Sequence, residues 1–144
     1  MLNRLLAPLV LVLSPLAAAP KAFAADGATM RERAARWAAL LDAPQRDAGL
    51  LPFDAPRRRR WNYMTGSVKA PGLALEAMTA AQKDAARDLL SAGLSAYGFE
   101  TAENIMLQQD ILRDEIGKGS ADRSRERFSL TLFGAPSPTA PWSW

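Results

Sequence analysis

Apolar residues recur at helical spacing in three stretches of the chain, and the first stretch follows a helix-start signal. Thr29 and Glu32 form a capping-box pattern, in which two side chains bond the free amides of a first helical turn. A helix is predicted from about residue 30 to residue 41, because its apolar residues share one face: Met30, Ala34, Trp37, Ala38 and Leu41. Pro44 is expected to stop this helix, and residues 42–56 are predicted to form turns.

The second and third helical stretches lie close together. Thr79 and Gln82 repeat the capping-box pattern, and this helix is predicted to run to about Tyr97, with Gly98 as its terminator. Thr101 is expected to cap the next helix, which ends at Gly117 and carries its apolar face on Ile105, Leu112 and Ile116. Because so few residues connect them, the two helices are expected to form an antiparallel pair.

Alternating patterns predict strands in two other places. Residues 127–133 alternate Phe128, Leu130 and Leu132 with Ser129, Thr131 and Phe133. Trp61 and Tyr63 alternate in a weaker candidate strand. Trp142 and Trp144 are expected to lie on a strand beside residues 128–133. The predicted fold is therefore α+β and mostly helical, with about three helices packed on an incomplete antiparallel sheet.

The first 24 residues have the pattern of a secretory signal peptide. Arg4 precedes an apolar run over residues 5–19, and the small-residue pattern Ala22-Phe23-Ala24 follows. Cleavage is predicted between Ala24 and Ala25. The run is too short for a stable membrane span. The sequence thus predicts passage through the export machinery to the periplasm or the exterior, and a single mature domain over residues 25–144.

Composition narrows the function of the mature chain. Lys and Arg number 18 against 15 Asp and Glu, but Arg4 and Lys21 lie in the signal, so the mature charge is about +1. No nucleic-acid partner is expected from so small an excess. The chain has no Cys and no His, so it lacks disulfides, thiolate nucleophiles and Ser-His-Asp triads, as well as the commonest transition-metal ligand. No cofactor, metal site or catalytic residue is expected within these residues.

The candidate ligand site is a basic and aromatic segment: Arg57, Arg58, Arg59, Arg60, Trp61 and Tyr63. The guanidinium groups can bind phosphate, sulfate or acidic groups, and a solvated charge run is the alternative. The aromatic rings, together with Trp142 and Trp144, can stack on sugars or pack in a core.

Two other groups of residues have a weaker chemical interpretation. Ser95 lies in a stretch resembling a nucleophile elbow, but its spacing and its place at a helix end argue against that role. Asp110, Asp114 and Glu115 are interpreted as a solvent-facing acidic stripe close to Arg113 and Lys118.

Several short segments together resemble the bacterial exported proteins known as domain of unknown function number 3500, from about Leu40 to Trp144. They are Leu41-Asp42-Ala43-Pro44-Gln45-Arg46, Arg60-Trp61-Asn62-Tyr63, Gly72-Leu73, Met78-Thr79-Ala80-Ala81-Gln82, Leu90-Ser91-Ala92-Gly93-Leu94-Ser95, Phe133-Gly134-Ala135-Pro136-Ser137 and Pro141-Trp142-Ser143-Trp144. The resemblance implies a continuation past the final tryptophans into a strand with a Gly-His-His-Leu motif. This chain is therefore expected to be the amino-terminal part of a longer protein.

Two functions are compatible with these features. The first is the scaffold of a larger envelope or secreted enzyme, with metal-dependent hydrolysis as one class, whose active residues lie beyond residue 144. The alternative is a non-catalytic binding module for an acidic or carbohydrate ligand. The chain contains no set of residues typical of a catalytic site, so the sequence leaves open whether the protein is an enzyme.

Overall fold

Four α-helices and four two-residue strands form the regular structure of the residues that the computed structural model describes, which are 26–60, 72–116 and 123–144. The helices are α1 (Gly27–Ala39), α2 (Ala43–Gly49), α3 (Ala80–Gly93) and α4 (Ala96–Ile116). The strands are β1 (Leu50–Leu51), β2 (Leu73–Ala74), β3 (Ser129–Leu130) and β4 (Leu132–Phe133). Short 3-10 helices occupy Pro56–Arg59, Leu75–Ala77 and Arg125–Arg127. The mostly helical α+β prediction is confirmed.

The first two helices begin at aspartates. Asp26 caps α1 by accepting from the amide of Ala28, and Thr29, the predicted cap, donates its hydroxyl to Asp26 instead. Asp42 and Gln45 form a full capping box at the start of α2, in a stretch predicted as turns. Pro44 lies in the first turn of α2, where a missing amide proton costs nothing. The prediction of turns there was therefore wrong for residues 43–49.

The boundary between α3 and α4 also differs from the prediction. The capping box of Thr79 and Gln82 is confirmed, but α3 ends at Gly93, because Leu94 is extended. Ser95 then starts α4 by accepting from the amide of Gly98, so Gly98 lies inside α4 and terminates nothing. Thr101, the predicted cap, donates its hydroxyl to the carbonyl of Tyr97 within the helix.

The segment from Phe128 to Gly134 pairs along both of its edges. On one edge β3 pairs antiparallel with β2, and β4 pairs parallel with β1. On the other edge Phe133 exchanges two backbone hydrogen bonds with Ser143, of 2.8 and 2.9 Å. The predicted strand over residues 127–133 is found as the two short strands β3 and β4. Residues 142–144 lie beside it, as predicted, but through a single bridge at Ser143 and not as a strand. The β1–β4 pair is parallel and not antiparallel.

The core lies between α1, α3 and this strand segment. Trp37, Leu89 and Leu132 are its largest fully buried side chains. Leu41, Leu73 and Met78 are also buried there, and Trp142 packs against the cluster from outside. Since burial of each such side chain contributes roughly 1.5–3 kcal/mol, these contacts supply much of the stability of a chain without disulfides.

A buried glutamine joins the starts of two helices. Gln82 is 5% exposed, and its amide nitrogen donates to the carbonyl of Leu40 and to Oε1 of Gln45, at 2.8 and 2.7 Å. Gln45 donates in return to Oε1 of Gln82, at 3.1 Å, and to the carbonyl of Ala77, at 2.8 Å. The capping residues of α2 and α3 are thus bonded reciprocally, which we call the glutamine lock.

Candidate functional site

An apolar groove of about 530 Å³ opens between α3, α4 and the strand segment. Its principal walls are Leu90, Ile105, Met106, Phe128, Leu130 and Trp144. Ile105 is 47% exposed, Phe128 36% and Trp144 37%, so three large apolar side chains face solvent in one place. We call this feature the apolar groove. Contiguous exposed apolar surface of this kind commonly marks a site that another molecule or segment covers.

Trp144 forms one end of the apolar groove and is fixed by two contacts. Its indole nitrogen lies 3.2 Å from the sulfur of Met30 on α1. Its ring lies directly over Gly93 at the end of α3, where a Cβ atom would stand 2.3 Å from the Cζ2 atom of Trp144. Only a residue without a side chain fits below the ring in this position.

One ion pair and one cation–π contact join the two helices that form the other wall of the apolar groove. Arg87 of α3 bonds Glu103 of α4 at 2.9 Å and lies 5.8 Å from the ring centroid of Phe99. Arg87 and Glu103 lie at similar distances along their helices from the connection between α3 and α4. Two antiparallel helices would bring such residues together. Among the described residues, however, α3 packs more extensively on α1 than on α4. Leu107 and Ile111 of α4 are also 42% and 50% exposed.

The four consecutive arginines lie elsewhere, on and beside the 3-10 helix Pro56–Arg59. All four side chains are exposed. The guanidinium carbon of Arg58 lies 3.9 Å from the ring centroid of Phe53, in a cation–π contact. No carboxylate of the described residues lies within ion-pair distance of any of the four. We call residues 57–60 the arginine patch.

The aromatic part of the predicted ligand site is only partly described. Trp61 and Tyr63 lie outside the described residues, as do the cleavage residues Ala24 and Ala25. Trp142 packs on the core, as the packing alternative expects, whereas Trp144 borders the apolar groove. The two C-terminal tryptophans therefore have different environments.

Of the three acidic residues singled out on α4, Asp110 and Asp114 are bonded to arginines, and Glu115 is exposed. Arg113 bonds Asp110 at 3.3 Å and Asp114 at 3.0 Å, as the acidic-stripe interpretation predicts. Asp110 also accepts from the backbone amide and the Nε of Arg125, at 3.0 and 2.6 Å, which the sequence did not indicate. The backbone amide of Arg125, and then its guanidinium, hold the pKa of Asp110 below its ordinary value. This carboxylate anchors residues 123–127 to α4.

No group of three His, Cys, Asp or Glu side chains among the described residues could hold a metal ion. The donor set of the described chain therefore does not fit a transition-metal site. Ser95, whose hydroxyl caps α4, has a structural role that accounts for it. Within residues 26–60, 72–116 and 123–144, no helix combines the length and the apolar character that crossing a bilayer requires.

The fold and its two surface features define a small, mostly helical α+β protein whose described residues form no catalytic constellation. The family described as "Protein of unknown function (DUF3500)" matches residues 24–144. The chain therefore belongs to this family, as the segments from Leu41 to Trp144 indicate. No curated protein and no solved structure matches the chain significantly.

Proposed function

We propose that this chain is the scaffold portion of a larger exported enzyme, in which it forms one wall of a cleft. The reacting groups lie on polypeptide beyond residue 144, and metal-dependent hydrolysis is the class of reaction that the resemblance suggests. The enzyme works in the periplasm or outside the cell. The signal pattern of residues 1–24 supports export, and the family match, which starts at residue 24, does not include that segment.

The exposed apolar surface beside the strand segment is the observation that carries this proposal. Backbone groups of successive residues in a strand point to opposite edges. Phe128 and Gly134 bond β-structure on one edge, through Leu75 and Leu51, and Phe133 bonds Ser143 on the other. Continued in the antiparallel register of Phe133 and Ser143, a strand after Trp144 would run along residues 131 to 128, which line the apolar groove. Polypeptide that follows this course would cover the exposed apolar side chains of the apolar groove, and it is this exposed apolar surface that supports the proposal.

The chemistry of the described residues supports the same assignment. The sequence has neither His nor Cys, and Asp110, Asp114 and Glu103 are each bonded to an arginine. A carboxylate that already accepts hydrogen bonds from a guanidinium is less available to take a proton from a substrate. The scaffold holds the wall of the cleft in place, and the added polypeptide supplies the acid, base or metal ligands.

The test is to read the coding DNA past the Trp144 codon and to measure the intact mass of the exported protein. We expect an open frame that continues with clustered His, Asp or Glu residues and a mature species that begins at Ala25. In that longer protein, hydrogen exchange at residues 128–131 should be slower than in a chain ended at Trp144. Exchange in α2, none of whose residues lines the apolar groove, is the internal control and should stay the same.

Two results would contradict the proposal. A stop codon directly after Trp144, with a mature species of 120 residues, would remove the polypeptide that is meant to carry the chemistry. A longer protein in which residues 128–131 exchange as fast as in the shorter chain would show that the added residues do not cover the apolar groove.

A further inference from the structure

The arginine patch concentrates positive charge in one turn of a mature chain whose total charge is only about +1. Residues 54–60 contain four arginines and a single acidic residue, Asp54. All four guanidinium groups are exposed, and the described residues offer them no carboxylate within ion-pair distance. Like charges placed this close repel one another, and a bound anion would remove that repulsion.

The arginine patch stands on a fixed support. Phe53 stacks beneath the guanidinium of Arg58 and packs against Gly134, whose backbone has a positive φ of 78°. The amide of Gly134 bonds the carbonyl of Leu51 at 2.8 Å, which ties this turn to β1. The 3-10 helix also bonds Arg60 to Arg57 through the backbone, at 3.1 Å. The charges are therefore partly preorganised, which lowers the entropy cost of binding.

We propose that the arginine patch binds clustered phosphate oxyanions, independently of the apolar groove and of the scaffold function. Guanidinium groups match phosphate through paired N–H donors, and four of them within one turn exceed what a single carboxylate can neutralise. The chemistry that fits is a short run or array of phosphates. Two sources provide it, a soluble oligophosphate and the headgroups of an anionic phospholipid surface.

The experiment uses the mature chain, residues 25–144, at low ionic strength. Tripolyphosphate is titrated calorimetrically, and sedimentation with phosphatidylglycerol vesicles is compared with sedimentation with phosphatidylcholine vesicles. The variant Arg57→Gln with Arg59→Gln removes two charges and keeps the Arg58 stack. Because these two guanidinium groups would donate charge-assisted hydrogen bonds to the anion, their loss should weaken binding by about tenfold or more.

The control variant is Arg31→Gln with Arg36→Gln, which removes the same charge from α1. Arg36 forms only an exposed pair with Asp88, at 3.4 Å, so the fold should tolerate the change. If the patch variant loses tripolyphosphate binding and the control variant keeps it, the ligand is a soluble oligophosphate. If the patch variant loses binding to phosphatidylglycerol vesicles, the control variant keeps it, and neither binds tripolyphosphate, the ligand is a membrane headgroup. Absence of binding to both probes, or equal loss in the two variants, overturns the proposal.

Discussion

At the scale of single residues, the protein uses polar side chains to join elements that are distant in sequence. Gln82 is buried and bonds the carbonyl of Leu40, the amide of Thr79 and the side chain of Gln45. A buried polar group is tolerated when its hydrogen bonds are complete, and it then selects one arrangement of its neighbours. The glutamine lock therefore fixes the position of the first turn of α2 relative to the first turn of α3.

Replacing Gln82 with alanine should lower the free energy of unfolding by about 1–3 kcal/mol, because it leaves the part-buried carbonyl of Leu40 and amide of Thr79 without their partner. Urea denaturation followed by circular dichroism measures the loss. Gln108→Ala, on an exposed position of α4, is the matched control and should stay within about 0.5 kcal/mol of the parent. Equal stability of the two variants would show that the glutamine lock contributes nothing.

Gly93→Ala should displace the ring of Trp144 with little change in overall stability. The new Cβ would stand 2.3 Å from Cζ2 of Trp144, but alanine improves helix propensity by about 1 kcal/mol and the ring can turn away. Emission of Trp144, obtained as the difference from a Trp144→Phe background, should shift to longer wavelength.

Gly27→Ala is the control for this displacement. A Cβ at Gly27 meets no atom within 4 Å, so Trp144 emission should not change. An unshifted Trp144 in the Gly93→Ala protein would mean that the ring does not rest on α3.

At the scale of elements, Gln109 and Asp110 of α4 bond residues 123–127, and Asp110 accepts most of these hydrogen bonds. Asp110 accepts two hydrogen bonds from Arg125 and one from Arg113. This connection places Phe128 at the entrance of the strand segment, and so it also shapes the apolar groove.

The hold of Asp110 on residues 123–127 should weaken in acid. Its pKa is lowered in the folded state, so its contribution is complete above the ordinary pKa of an aspartate and is lost as pH falls through the lower, folded value. Amide exchange of residues 125–127, corrected for intrinsic rates, should rise over that range in the parent. In Asp110→Asn it should be fast already at neutral pH.

Asp114→Asn tests whether this acid effect belongs to Asp110. Asp114 is 68% exposed and bonds only Arg113 among the residues described. Its replacement should leave the exchange of residues 125–127 unchanged from neutral pH to acid. A rise in that variant would assign the effect to the general charge of α4.

Local signals predicted some of these elements, and distant contacts decided the others. Thr79 and Gln82 start α3 as their spacing indicates, because a capping box involves only four consecutive residues. The end of α3 lies at Gly93, before the extended Leu94, and not near Tyr97 as the sequence pattern predicts. The start of α2 was missed because Pro44 was interpreted as a stop, although proline is compatible with a first turn.

The arginine patch and the apolar groove also differ in whether the sequence alone reveals them. The arginine patch is contiguous in sequence and could be identified before the structure. The apolar groove is assembled from Leu90, Ile105, Phe128 and Trp144, which belong to separate elements, and only the fold brings them together.

At the scale of the whole molecule, apolar surface is left exposed on one side. Ile105, Phe128 and Trp144 border the apolar groove, and Leu107 and Ile111 extend exposed apolar surface along α4. Such surface in a folded protein attracts hydrophobic probes and other copies of the chain.

The mature chain of residues 25–144 should therefore bind a hydrophobic dye such as ANS in its native state. Ile105→Gln should lower the dye fluorescence, because it places a polar group in the wall of the apolar groove. Tyr97→Gln, which removes an 80% exposed aromatic ring outside the groove, is the matched control and should have little effect. Equal decreases in both variants would mean that the dye does not report on the groove.

The strand segment has a consequence for the order in which the protein can fold during synthesis. Leu132, which is fully buried, joins residues from the first half of the chain, and Trp144 contacts Met30 across 114 positions. A nascent chain that lacks residues 128–144 cannot close this core, and closing contacts over such separations is slow. The growing polypeptide should thus remain open until nearly all of these residues have left the ribosome. An unfolded chain is the form that can be threaded through a narrow channel, so late closure would favour transport over premature folding.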